Sequence, residues 1–377
     1  MRQWLQTHIT AVKHQLFHRI CHCRYYLKTL SILAISASMS FLPLHAEEAL
    51  SQSNTIFDNF VKKIHPAKPP VCGGTDLTKT FSKNDQKKFA SQSKAIINGN
   101  AKFWKIEKSG VKPSYLLGTM HVSDPKIITL SKRQKDIFDK SDRLVLELSE
   151  IAETDSDIYA KKIILDPDFI TPKAGESFKD LLTSEQFLKF QTTLEEHGLP
   201  YDTLANVKPW IIWTTLSIPT CEIKRLQYGY RALDTQLGLD AKKQNKPVLG
   251  LESVDEQISA LKGLPISFYA ESIEDMVQNT DLNNDIFYTQ MRLYQKGHIG
   301  ELFVLEKMFK SNVSAENQRI FYQILVDQRN DRMAERAQKI IEQGNSFIAV
   351  GAGHLPGSTG LVEQLRQKGF TVTAIHR

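Results

Sequence analysis

Two stretches of this 377-residue chain close an apolar run on the same four-residue pattern. Ser114-Tyr-Leu-Leu-Gly-Thr-Met-His121 and Ser346-Phe-Ile-Ala-Val-Gly-Ala-Gly-His354 both end in Gly-x-x-His, pairing Gly118 with His121 and Gly351 with His354. Each run is short enough to be a buried strand. Glycine at a strand end lets the backbone turn sharply or lie close to a ligand. The histidine three residues on then stands in the loop above the sheet edge, where α/β proteins build their sites. A single histidine after a strand is most often a packing or capping residue. Packing has no reason to demand the same pattern at two strand ends, so the pair reads as functional.

Other strand ends supply partners for the two imidazoles. Arg143-Leu-Val-Leu-Glu-Leu148 is an apolar run interrupted by Glu147, and a carboxylate in a buried strand is costly unless it is paired or binds something. Pro247-Val-Leu-Gly-Leu-Glu252 is a second short strand ending in an acid. Phe321, Leu325, Arg329 and Met333 recur every four residues, with Ile340 continuing the stripe, which places Arg329 on the apolar face of a helix. An inward arginine needs a carboxylate or an anionic ligand, or it snorkels to the rim. Asp234, in Arg231-Ala-Leu-Asp234, either orients the site or forms a local ion pair.

His121, Glu147, Glu252 and His354 together suit a hard or borderline divalent ion, Zn, Mn or Co, that activates water. The same four also serve without a metal, His or Glu acting as general base on water and Arg329 facing the developing negative charge. Residue types leave both mechanisms open. Other signatures are missing: there is no His-Glu-x-x-His, no Gly-x-Ser-x-Gly elbow and no Walker lysine. Gly351-Ala-Gly353 approaches a dinucleotide fingerprint, but the third glycine, Gly357, falls one residue late and the chain ends about where the ribose-binding acid belongs.

The elements that must hold these residues follow from periodicity and punctuation. Phe103 to Glu107 and Tyr115 to Leu117, joined through Ser109-Gly110, form a hairpin; a helix from about Leu130 to Lys140 precedes the Glu147 strand. Residues from about 152 to 246 and from 253 to 343 are helical insertions. A helix at Leu361 to Lys368, capped by Ser358 or Thr359 and stopped by Gly369, leads into the final strand, Phe370 to Ile375. A strand, a helix and a strand in so few residues imply a parallel unit. The expected fold is α/β, a central mixed and largely parallel sheet built from two related halves.

The formal charge of +6 does not indicate a nucleic-acid partner. Arg2, Lys13, Arg19, Arg24 and Lys28 are unopposed by any acid in residues 1–46, and the rest of the chain holds 43 basic against 42 acidic residues. Residues 1–46 have the layout of a secretory signal: a basic region, an apolar region from about Thr29 to Leu44, and Leu44-His-Ala46 before Glu47. The expectation is an exported protein, periplasmic or secreted, with no membrane partner once the signal is cleaved; an uncleaved anchor is the alternative. Residues 47–95 form an N-terminal extension, and 96–377 the α/β domain. Cys21 and Cys23 fall in the leader, which leaves Cys72 and Cys221 as a candidate disulfide.

Leu116-Leu-Gly-Thr-Met-His121, the Glu147 strand, Gly250-Leu-Glu-Ser253 with Glu256-Gln257, Arg329-Asn330 and Val350-Gly-Ala-Gly-His-Leu-Pro-Gly357 together resemble the TraB/GumN family, which is related to the PrgY pheromone-shutdown proteins and the Tiki proteases. The resemblance runs from about Cys72 to the C-terminus. It implies an α/β fold of the erythromycin-esterase/ChaN-like kind. By comparison with Tiki proteins it also implies a metal-dependent peptidase, with His121 and His354 as the paired motif histidines, Glu147 and Glu252 as strand-end acids and Arg329 as the family arginine. PrgY allows a protein that sequesters a peptide or small-molecule ligand instead, and the esterase relatives allow hydrolysis without metal.

Overall fold

A computed structural model describes residues 70–152, 170–172, 177–178, 182–196 and 206–376. Every described residue belongs to a single compact unit. The expected signal, residues 1–46, lies outside the described residues. No helix among the described residues is long and apolar enough to cross a membrane.

Among the described residues six strands form one mixed sheet: β1 (Phe103–Lys108), β2 (Val111–Thr119), β3 (Arg143–Leu148), β4 (Val248–Glu252), β5 (Ser346–Gly351) and β6 (Thr371–Ala374). Their order is β4-β3-β5-β2-β1-β6. β4, β3, β5 and β2 run parallel, whereas β1 is antiparallel to both β2 and β6. The hairpin turn is made at Gly110, whose φ of +76° is a conformation glycine adopts without strain. β5, from the end of the chain, is inserted between β2 and β3. The closing strand-helix-strand unit runs parallel, as expected, with the β1/β2 hairpin between β5 and β6.

Helices that bear on the sheet are α1 (Lys132–Lys140), α2 (Thr220–Gln227), α3 (Leu233–Lys243), α4 (Val254–Lys262), α5 (Thr280–Lys296), α6 (Gln328–Ile341) and α7 (Leu361–Gln367). Alternation along each strand sorts its side chains between two layers. Leu116, Val145, Ile348 and Val350 pack under α6 and α7 with Met333, Ala337, Leu361 and Leu365. Leu117, Leu144, Leu146, Phe347 and Ala349 face α1 and α3 with Phe138, Leu233 and Leu237. α6 enters through a π turn, Gln323–Asp327, in which Gln328 N–H reaches Gln323 O. The wider turn brings both Arg329 and Asn330 to the inner side, which a strict four-residue spacing does not anticipate. The α7 cap also differs from expectation: Gly360 occupies the N-cap position with no side-chain bond, and Thr359 instead donates through its hydroxyl to Asp327, 2.7 Å away.

Cys72 and Cys221 are joined, their Cα atoms 5.2 Å apart across 149 residues of sequence. The bond fastens the start of the described chain to α2. A crosslink over so long a loop removes much of the unfolded chain's freedom, so Cys72→Ala with Cys221→Ala is expected to lower unfolding free energy by about 4 kcal/mol. Urea titration of the oxidised protein and the double variant measures it.

Candidate active site

Because β2, β3, β4 and β5 are parallel, their C-terminal ends share one edge of the sheet. His121, Glu147, Glu252 and His354 all sit there. The register sets Gly118 beside Val350 and Thr119 beside Gly351, so the two histidine loops leave adjacent strands one residue out of step. Gly351 is the floor on which they meet. A Cβ built on it would lie 3.1 Å from Glu147 Oε1 and 3.5 Å from both His121 Nε2 and His354 Cδ2. Both rings touch one point, and twice that distance bounds their separation. Gly118 has a different constraint: a Cβ there would come within 2.9 Å of Leu355 Cδ2 and 3.0 Å of Ala352 Cα, in the second histidine loop packed across it.

The acids differ in their contacts. Glu147 Oε1 accepts from Gly351 N–H at 2.6 Å, and its Oε2 accepts from Arg329 Nη2 at 2.7 Å and Gln257 Nε2 at 3.3 Å. Glu252, its side chain fully buried, accepts at Oε2 from Arg329 Nε and Nη2 and from Gln257, and at Oε1 from Arg332 Nη2, 3.1 Å away. One guanidinium therefore clamps both carboxylates, and Arg329 faces inward. Burial raises the Glu147 carboxyl, but the charges of His354, Arg329 and His121 and the Gly351 N–H prevail and hold it at about 2.

The histidines sit in unlike surroundings. His354 is buried; its Nδ1 lies 2.8 Å from Asn330 Oδ1 and its Nε2 3.9 Å from Glu147 Oε1. Burial, opposed by Glu147 and aided by Arg329, lowers it to about 4, so the ring is neutral at neutral pH. The His121 side chain is 59% exposed, with Nδ1 3.1 Å from Asp234 Oδ2. The Asp234 carboxylate outweighs desolvation and raises this ring to about 9. Asp234 lies in the first turn of α3, where the helix dipole favours an anion, and accepts from Thr119 Oγ1 at 2.7 Å.

The His121 loop is anchored from below. Glu222 Oε2 accepts from Ser123 N–H and Oγ at 2.8 and 2.7 Å, and its Oε1 from Arg225 Nη1 at 2.8 Å. Arg225, 1% exposed, also donates to Asp124 Oδ2 and to Pro70 O. Both α2 residues follow Cys221, so the disulfide, the buried ion pair and the loop form one assembly. Tyr294 on α5 donates to Gly118 O at 2.8 Å.

Among the described residues no three His, Cys, Asp or Glu side chains are grouped as a bound ion requires. The groups that converge over Gly351 are His121 Nε2, His354 and Glu147 Oε1. The 3.9 Å between His354 Nε2 and Glu147 Oε1 exceeds the roughly 3.4 Å between neighbouring ligands of a tetrahedral zinc. Two imidazoles and one carboxylate oxygen are the right donor chemistry for a divalent ion. Glu252, the fourth expected ligand, has both of its oxygens held by arginines. Three contributors carry weak signals in the sequence: Asp234 has no marked link to His121, Asn330 adjoins Arg329 off the apolar stripe, and Gln257 is one polar residue on an amphipathic helix.

The model of the TraB/PrgY/gumN family matches residues 102–374, beginning well after Cys72. Metalloprotease TIKI1 of Danio rerio is 25% identical over 320 residues, which cover 72% of this chain and 63% of that protein. Metalloprotease TIKI2 of Xenopus tropicalis is 24% identical over 321 residues, covering 72% and 59%. Uncharacterized protein YbaP of Shigella flexneri is 24% identical over 277 residues, covering 72% and 96%. The chain thus spans about three fifths of the TIKI proteins' length and nearly all of YbaP.

Arg329→Met strands two buried carboxylates, and the expected cost is about 3–5 kcal/mol of unfolding free energy, read by urea titration. Glu147 adds a pH signature. Its folded value, about 2, lies below the ordinary 4.5, so its stabilisation is complete above 4.5 and lost as pH falls toward 2. Glu147→Gln is expected to flatten the stability profile across that acid window while lowering stability at neutral pH; an unchanged slope would refute the assignment.

Proposed function

The chain belongs to the TraB/PrgY/gumN family, and from that premise we propose that it is a hydrolase acting on peptides, with the attacking water held over Gly351. The observation that carries this reading is the convergence of His121, His354 and Glu147 on one glycine at the shared strand edge. The metalloprotease names of the TIKI relatives favour a peptide substrate. We propose export as well, on the layout of residues 1–46.

His354, neutral at neutral pH, presents Nε2 to the pocket as a proton acceptor or ligand. His121 stands opposite, backed by Asp234; in the metal-free form it is a cation that donates from Nε2 to a developing oxyanion or leaving group, and a bound ion would take the place of that proton. Arg329 acts at one remove, keeping Glu147 ionised and turned toward Gly351. His121 Nε2, His354 Nε2 and Glu147 Oε1 are the atoms that would hold a divalent ion, Zn, Mn or Co. Such an ion, when bound, supplies a water acidic enough to ionise near neutral pH.

A metal-free hydrolase is the second reading, favoured by Arg329's hold on both acids. Peptide-library digestion by the purified chain decides between them. His121→Ala and His354→Ala are each expected to slow cleavage at least about 100-fold. Loss of cleavage with a chelator, restored by Zn, Mn or Co, supports the metal-dependent form; chelator-resistant cleavage supports the other. Intact peptides under every condition would reject the hydrolase reading and leave a ligand-sequestering protein.

A further inference from the structure

The two Gly-x-x-His motifs differ in what stands behind each ring. Behind His121 is a carboxylate, Asp234, whose other oxygen accepts from Thr119 Oγ1. Behind His354 is an amide, Asn330, buried and turned by a second contact: its Nδ2 donates to Thr359 O at 2.9 Å. That bond leaves Asn330 Oδ1, an acceptor, toward His354 Nδ1. Two chemically different side chains, from α3 on one face of the sheet and α6 on the other, thus make the same demand. Each requires a proton on Nδ1.

We propose that Asp234 and Asn330 are positioning residues that set which nitrogen of each motif histidine carries the proton, so that both Nε2 atoms are turned to the pocket over Gly351. The hydrogen bond at one ring nitrogen determines the state of the other. With Nδ1–H engaged, each neutral ring offers a lone pair inward, as a metal ligand or a base needs. The assignment draws on the hydrolase reading for its consequence only; the tautomers themselves follow from the contacts.

The two partners tolerate exchange unequally. In Asp234→Asn the Thr119 hydroxyl still donates to the side-chain oxygen, so the new amide NH2 faces His121 Nδ1 and donates to it. The ring proton then moves to Nε2 and the inward lone pair is lost. In Asn330→Asp the oxygen facing His354 is kept, and with it the proton on Nδ1.

The test is long-range proton–nitrogen NMR of the metal-free, oxidised full-length chain labelled with 15N-histidine. It is recorded near pH 10, above the value of about 9 that Asp234 gives His121. The unaltered chain is expected to show both motif rings protonated at Nδ1. Asp234→Asn is expected to exchange the protonated and bare nitrogens of His121 alone, whereas Asn330→Asp leaves both rings as they were. Should Asp234→Asn fail to fold, as judged by amide dispersion, Asp234→Ala serves in its place: without an acceptor behind it, His121 moves its proton to Nε2. An Nε2 proton on either ring of the unaltered chain overturns the proposal, as does an Asp234 variant that keeps the Nδ1 proton. No hydrolysis is measured, so a chain without peptidase activity still answers the question.

Discussion

The parallel pairing of β2 with β5 is the constraint on which the site depends. It places Thr119 beside Gly351 and brings two loops, more than two hundred residues apart in sequence, over a single backbone position. Without that register the two imidazoles have no common floor. With it, the absence of a side chain at Gly351 leaves the volume in which Glu147 and both rings meet. Gly118 works differently, making room for the neighbouring loop's backbone.

Charge in this pocket is balanced in pairs. Arg329 faces two buried carboxylates, and Arg332 adds a second cation at Glu252; for Glu147 these contacts favour the ionised form inside the protein. This arrangement also separates their contacts. Glu147 retains an oxygen beside the histidines, while both oxygens of Glu252 are held by arginines on α6. That distinction is invisible to any argument from residue type.

The His121 side is braced more heavily than the His354 side. Glu222, Arg225, Asp124 and Ser123 form a buried hydrogen-bonded cluster directly after His121, and the disulfide ties the same helix to Cys72. His121 itself is exposed, so its ring has few packing neighbours to orient it. The rigid segment beneath it and the Asp234 contact behind it supply that orientation. His354 is buried and needs less bracing.

From the amino-acid sequence alone come the hairpin, the strand carrying Glu147, both Gly-x-x-His turns and the place of Arg329 on the apolar face of its helix, though not whether it points inward or to the rim. Each rests on local periodicity or on an ionisable residue in an apolar run, which are short-range properties of the chain. The pairing of Cys72 with Cys221 was also readable, once Cys21 and Cys23 are set aside with the expected signal. Tertiary structure alone decided that β5 enters between β2 and β3, that one arginine serves both acids, and that Asp234 and Asn330 stand behind different rings. Strand order is set by long-range packing on two faces of a sheet, and the charge state of a carboxylate or imidazole by what lies within a few ångströms of it; neither distance is written in the spacing of residues along the chain.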